Sequence, residues 1–321
     1  MQWEQLIEIL KGHNVWIQTH NFPDPDAFAS AYGLQYFLKM HGIASKICYD
    51  GHVANISVVK MLSNFKITGY LIDQITIAED DYVVLVDGQK YNANLTDVAG
   101  NEVACIDHHP IRKECNYLYQ DIRTAGSCAT LIAQYFKESN TPISETVASA
   151  LTYGMKMDTD SFNRGVTSLD IEMYQYLFAY TDAHLVQSMY INTLELADLR
   201  AYGAAIENIR IFQYIGIAHI PFDCEDALIA MVADFILKLE EVTIAVIYAE
   251  RKGGLKFSVR SEETTVHAGD LTRMALKSIG DGGGHFAMAG GYVPPESRTF
   301  KGEKEKKYIE QLFVNAYEEI T

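Results

Sequence analysis

The chain has 321 residues, 48% of them hydrophobic, and 26 basic against 42 acidic side chains give a formal net charge of −16. This length exceeds what one core usually organises and predicts two domains. No apolar run nears the roughly 20 residues that span a bilayer, so no membrane partner is expected. Long duplex nucleic acid is also excluded as a partner, because its binders carry a basic footprint that releases counterions.

Trp3, Leu6, Ile7 and Leu10 recur at helical spacing and predict a helix over 2–11. A strand is expected over 14–19, a helix over 27–41, a strand at 46–49, a helix near 55–64, and strands over 82–87 and 103–107. Ser127 opens a helix over 128–138, and further helices are expected over 144–157, 168–180 and 182–190. The alternation predicts an α/β fold, with residues 1–190 forming a parallel sheet with helices on both faces. Residues 195–212 read as one long helix, and 191–212 as the connection between domains. Strands at 214–220, 242–249 and 255–260, with helices over 225–239, 268–278 and 303–319, predict a smaller mixed α/β domain over 213–321. The cysteines Cys48, Cys105, Cys115, Cys128 and Cys224 are odd in number and form no C-x-x-C pair. The first residues lack a basic region followed by an apolar core. Together these features predict a reduced, cytoplasmic protein.

Four segments end in metal-binding residue types. Thr19-His20-Asn21-Phe22-Pro23-Asp24-Pro25-Asp26 joins the first strand to its helix and is stiffened by two prolines. Alone, it reads equally as an Asx-rich turn with capping aspartates. Val83–Val86 run into Asp87, Val103–Ile106 into Asp107-His108-His109, and a helical run through Met157 into Asp158. Ligands of open α/β sheets collect at the carboxyl ends of strands. His20, Asp24, Asp26, Asp87, His108 and Asp158 are too many acids for one low-charge centre and suit two divalent cations sharing a carboxylate. Oxygen-rich sites with some imidazole suit Mn2+ or Mg2+, and paired cations about 3.5–4 Å apart recur in phosphate-ester hydrolysis.

In order and spacing, His20-x-x-Pro23-Asp24-x-Asp26-Ala27, Asp87, Asp107-His108-His109 and Asp158 resemble the four motifs of the DHH phosphoesterase superfamily. Gly282-Gly283-Gly284-His285 with Ala289-Gly290-Gly291 resembles the glycine-rich motif of the DHH-associated domain. The two-domain size is similar to the branch of oligoribonucleases (nanoRNases) and phosphatases of 3'-phosphoadenosine 5'-phosphate (pAp). Three positions depart from the pattern. Ala29 stands where glycine is common, Gly88-Gln89 follow Asp87 where a small hydroxyl residue is common, and Asp160 replaces a frequent glycine and adds negative charge.

The resemblance implies a manganese-dependent hydrolase, with magnesium as the alternative ion, whose active site lies in a cleft between the two domains. His20 and Asp24 would bind one metal and Asp26 and His108 the other, with Asp87 and Asp158 shared or nearby. A hydroxide activated by both metals would attack phosphorus. His109 would contact the scissile phosphate, and Asp107 would orient a histidine from behind. Arg260 and His285, with the backbone of Gly283 and Gly284, would hold the far end of the substrate. A surface arginine and a tight turn bearing a surface histidine are the plain alternatives. The helix opened by Ser127 either faces a phosphate with its N-terminus or is simply capped. The expected partner is a short single-stranded oligonucleotide or small nucleotide: nanoRNA, a linear dinucleotide or pAp. A cyclic-dinucleotide phosphodiesterase, an inorganic pyrophosphatase and a nucleotide sensor without turnover are the competing readings. A homodimer is left open.

Overall fold

The computed structural model describes residues 2–53, 55–111, 113–191 and 194–321, and the chain divides into two units, Met1–Thr193 and Leu194–Thr321. In the first unit, short runs rich in Val and Ile form strands β1 (Val15–Gln18), β2 (Ser45–Tyr49), β3 (Gly69–Leu71), β4 (Tyr82–Val86), β5 (Asn101–Asp107) and β6 (Tyr119–Ile122). Their order is β3-β2-β1-β4-β5-β6, and every pairing is parallel. The chain winds outward from β1 to β3, returns beside β1 as β4, and runs outward again to β6. Strand order therefore reverses between β1 and β4, which opens a crevice at the carboxyl ends of those two strands.

Helices α1 (Gln2–Leu10), α2 (Pro25–Met40), α3 (Ile56–Phe65), α4 (Cys128–Ser139), α5 (Glu145–Asp158), α6 (Ser168–Phe178) and α7 (Ala183–Tyr190) complete the unit. All seven contribute to one buried cluster, in which Ile17, Val84 and Ile106 meet Phe28 and Leu34 of α2, Leu131 of α4 and Leu151 of α5. The alternation of strands and helices predicts a second helical layer. On the opposite face Trp16, Val83, Leu85 and Cys105 are instead covered by a 3-10 turn at Ile72–Gln74 and by Leu95 and Val98. The β4–β5 link is rich in Asn, Asp and Gly and the short β5–β6 link carries Pro110, so neither sustains a helix and that layer is thin.

In the second unit the strands are β7 (Arg210–Phe212), β8 (Ile215–Asp223), β9 (Ile244–Arg251), β10 (Gly254–Ser261), β11 (Asp281–Gly284) and β12 (Met288–Val293). They form a mixed sheet in the order β11-β12-β10-β9-β8-β7, in which only the β8–β9 pair is parallel. Helices α8 (Leu199–Asn208), α9 (Asp226–Ile236), α10 (Ala268–Leu276) and α11 (Glu303–Ile320) pack on it.

The long helix expected over 195–212 is shorter in the structure. Asp198 closes a turn with Glu195, and helix runs only from Leu199 to Asn208. Ile209 is already extended, and Arg210–Phe212 pair with β8, as the β-branched Ile209 and Ile211 favour. Ala201 and Ala205 pack into the core of the second unit with Ile220 and Val232, so the segment given as a connector belongs to that unit. Residues 192 and 193 lie outside the described residues. The five cysteines are free thiols, and no helix among the described residues is long and apolar enough to cross a membrane.

Candidate metal centre

β1 delivers His20 and β4 delivers Asp87 to the two sides of the switch point, while β5 ends in Asp107-His108-His109. Asp24 is the N-cap of α2: its Oδ1 accepts the Ala27 amide at 3.0 Å, and Pro25 starts the helix. The capping reading of this loop is thus satisfied by one oxygen of a residue that still faces the cluster with its carboxylate. Asp26, one position into the helix, is buried, and its two oxygens accept the amides of Cys128 at 2.7 Å and Ala129 at 3.0 Å. The N-terminus of α4 is therefore answered by Asp26 and by Ser127, which accepts from Thr130, so it is a capped end. Asp158 is the last residue of α5, where the helix dipole disfavours negative charge.

Three overlapping sets of ligand atoms converge, the atoms of each set lying within 4.8 Å of one another: His20, Asp24 and Asp87; Asp26, His108 and Asp158; and Asp87, Asp107, His108 and His109. Asp87 joins the first to the third. Its Oδ2 lies 3.6 Å from His20 Nε2, and its Oδ1 lies 3.4 Å from His108 Nε2 and 3.7 Å from His109 Nδ1. His108 Nε2 is also 3.3 Å from Asp158 Oδ2. Asp87 adopts a left-handed backbone with φ of 57°, an uncommon choice for a residue with a Cβ and of the kind found at functional sites.

The imidazoles are oriented from behind. His20 Nδ1 meets the Asn21 carbonyl at 2.9 Å and His108 Nδ1 the Ala125 carbonyl at 3.0 Å, so each donates through Nδ1 and turns its Nε2 toward Asp87. His109 Nδ1 meets Asp107 Oδ1 at 2.9 Å, which leaves its Nε2 pointing away from Asp107. The other oxygen of Asp107 accepts from Gln89 Nε2 at 2.7 Å, and the same amide reaches the His109 carbonyl at 3.1 Å.

Electrostatics test whether cations fit this cluster. Burial raises the carboxyls of Asp24, Asp26 and Asp158, Asp158 to about 6, with neighbouring carboxylates adding to the effect. Burial opposes charge on His108, yet the close approach and negative charge of Asp87 outweigh it and lift the ring to about 11. Asp87 itself, although burial favours its neutral form, is held below the usual carboxylate range by His108 and His20. Asp87 Oδ1 is buried and receives no well-aimed hydrogen bond, despite its nearness to His108. A buried carboxylate oxygen without a donor is costly, and a divalent cation would satisfy it and neutralise the surrounding acids. The donor set of carboxylates and imidazoles could hold such ions.

Two supports of this centre escaped the sequence reading. Gln89, a departure from the motif pattern, is the buried donor to Asp107. Asp170, fully buried, accepts from the Gly126 amide, Thr130 and Thr167, and so holds the turn whose Ala125 carbonyl orients His108. The capping-box spacing Thr167-x-x-Asp170 was the available signal for the latter. Asp160 is exposed and joins none of the three clusters.

The remaining expected residues lie in the second unit. Arg260 Nε donates to Asp234 of α9 at 2.5 Å and its Nη1 to Ser258 Oγ and the Val259 carbonyl, so the guanidinium is already engaged. Gly282–Gly284 are not a loop but part of the edge strand β11, paired with β12. A Cβ on Gly282 would meet Thr272 of α10 at 2.7 Å and one on Gly284 the Met288 carbonyl of β12 at 2.4 Å, so each is needed for close packing. Gly283 meets only Arg273 Nη2, at 3.5 Å, and His285 is exposed beyond it.

Fold and donor set together define an α/β protein with a clustered acid–imidazole centre at the switch point of a parallel sheet. Residues 14–155 match the DHH family N-terminal domain and residues 211–310 the DHHA1 domain, and the two matches take in most of the chain. The chain belongs to the DHH family, with a DHH N-terminal domain followed by a DHHA1 domain. It is 27% identical over 303 residues to an uncharacterised protein of Methanocaldococcus jannaschii, covering 94% of this chain and 62% of that one. It is 26% identical over 149 residues to the "probable manganese-dependent inorganic pyrophosphatase" of Streptococcus thermophilus, covering 45% of this chain and 48% of that one. The chain thus spans under two thirds of the length of both relatives. An exopolyphosphatase-related protein from Bacteroides fragilis shares the fold, with a TM-score of 0.78 at 19% identity, covering 99% of this chain and 96% of that one.

Proposed function

We propose that the protein is a manganese-dependent hydrolase of short oligonucleotides or small nucleotides, with nanoRNA, linear dinucleotides and pAp as its substrate class. The observation that carries the hydrolytic reading is Asp87. Its two oxygens face histidines of two different ligand sets, as a carboxylate shared by two cations must. His20 and Asp24 would hold one ion, Asp26, His108 and Asp158 the other, and Asp87 both. Two divalent cations bound there supply Lewis acidity that brings the pKa of water toward neutrality and offsets the charge of a phosphate. The residues of the chain do the rest. The Asn21 and Ala125 carbonyls keep the Nε2 atoms of His20 and His108 turned inward. Asp107 fixes His109 so that its Nε2 is free to donate to a phosphate oxygen as charge builds there. The DHHA1 domain favours a substrate larger than pyrophosphate.

Chelation should abolish turnover of a linear dinucleotide, and manganese should restore it. The Asp87→Asn protein should fold, bind less manganese and lose at least two orders of magnitude in kcat. Unchanged metal content together with wild-type turnover in that variant would refute the shared-ligand assignment.

A further inference from the structure

We propose that Phe22 is a stacking platform for the base of a nucleotide substrate whose phosphate is held at the metal centre. This deepens the nucleotide reading above and rests on it. Phe22 lies two residues after His20 and two before Asp24, within the loop that presents both. It is 68% exposed and belongs to none of the hydrophobic clusters among the described residues. A single exposed aromatic is ordinary, but this one is held in place at a cost. Its φ is 55°, a left-handed backbone that residues with a Cβ avoid.

Two segments of the first unit fix that backbone. The Phe22 amide donates to the Asp50 carbonyl at 2.8 Å, beyond the end of β2. The Asn21 amide donates to the Asn94 carbonyl at 2.7 Å, in the β4–β5 link. The Asn21 side chain exchanges hydrogen bonds with Thr96, through Nδ2 to Oγ1 at 3.0 Å and from the Thr96 amide to Oδ1 at 3.1 Å, and Thr96 in turn donates to Asp50. The ring itself is seated on Gly51, where an added Cβ would lie 2.7, 2.8 and 2.9 Å from three ring atoms. One side of the ring is thus buttressed by backbone, and the rest is exposed on the loop that carries His20 and Asp24.

An aromatic surface offers nothing to an inorganic phosphate. A nucleotide places a flat apolar base a few bonds from its phosphate, and base–aromatic stacking tolerates any base because each has a π-face. Truncating such a platform costs on the order of 5- to 100-fold in affinity.

The test compares wild type, Phe22→Ala and Phe22→Trp, each manganese-loaded. Calorimetry measures adenosine 5'-monophosphate against ribose 5-phosphate, which lacks the base, and kinetics measure a linear diadenylate. Wild type should prefer the monophosphate with the base. Phe22→Ala should lose that preference and raise KM for the diadenylate by the same factor, and Phe22→Trp should keep both. If wild type hydrolyses the diadenylate but Phe22→Ala retains the preference and KM, the platform is overturned and the hydrolase reading stands. A Phe22-dependent preference without turnover supports the platform and overturns the hydrolase reading. If Phe22→Ala weakens both ligands equally, the ring serves the loop and the platform is overturned. A wild type with neither preference nor turnover removes both.

Discussion

Asp107 has no exposed surface, yet each of its oxygens has a donor: His109 on one side and Gln89 on the other. Gln89 replaces the small hydroxyl residue that the motif pattern favours, and its longer side chain is what spans to Asp107. Gln89→Leu keeps the bulk and removes the donor. It should lower stability by about 1–3 kcal/mol, the usual cost of an unsatisfied buried polar atom. It should also let His109 drift, so kcat should fall about tenfold or more while manganese affinity holds. Thermal melts and steady-state kinetics together decide the matter. A lower melting temperature with unchanged kcat would reduce Gln89 to a packing role.

Between elements, the contact of α2 with α5 sets the position of the ligand loop. Ala29, which departs from the glycine common at its position, faces Gly154 across that contact. A Cβ on Gly154 would lie 2.6 Å from the Ala29 Cβ, 3.1 Å from the Pro25 carbonyl and 3.2 Å from the Asp26 Cα. Alanine is the better helix former by up to about 1 kcal/mol, yet overpacking costs about 1–3 kcal/mol. Gly154→Ala should therefore destabilise and displace Asp26. Adding Ala29→Gly removes the opposing methyl and should recover part of the loss. Denaturant melts of both single variants and the double variant measure the coupling. Strict additivity would show that the two helices do not meet through these atoms.

For the molecule as a whole, cation binding is coupled to protons. His108, raised to about 11, carries a proton at neutral pH, and Asp158, raised to about 6, is partly protonated just below it. A cation needs the Nε2 lone pair of His108 and the charged form of Asp158, so loading must expel protons, and affinity must fall as pH drops. Calorimetric titration of manganese at pH 7 in buffers of different ionisation heat should show release of at least one proton per protein. A heat independent of buffer would contradict this arrangement of charges. Full loading also offsets part of the net charge of −16, and the remaining acidity still disfavours long duplexes.

By itself, the sequence determined the elements whose side chains repeat locally and the identities of the clustered donors. Apolar periodicity is a property of neighbouring residues, so α2, α4, α5 and the strands β1, β4 and β5 were legible to within a few residues. His20, Asp24, Asp26, Asp87, His108 and Asp158 were legible because each ends or begins such an element, and strand ends meet at a switch point. Only the tertiary structure decided what depends on distant partners. The short edge strands β3, β6 and β11 exist because a neighbour pairs with them, and β7 exists because β8 does, which ends α8 early. Arg260 found Asp234 twenty-six positions away, and Asp107 found Gln89 eighteen positions away. No local pattern encodes those hydrogen bonds, because a buried polar atom takes whichever donor the packed chain brings within reach.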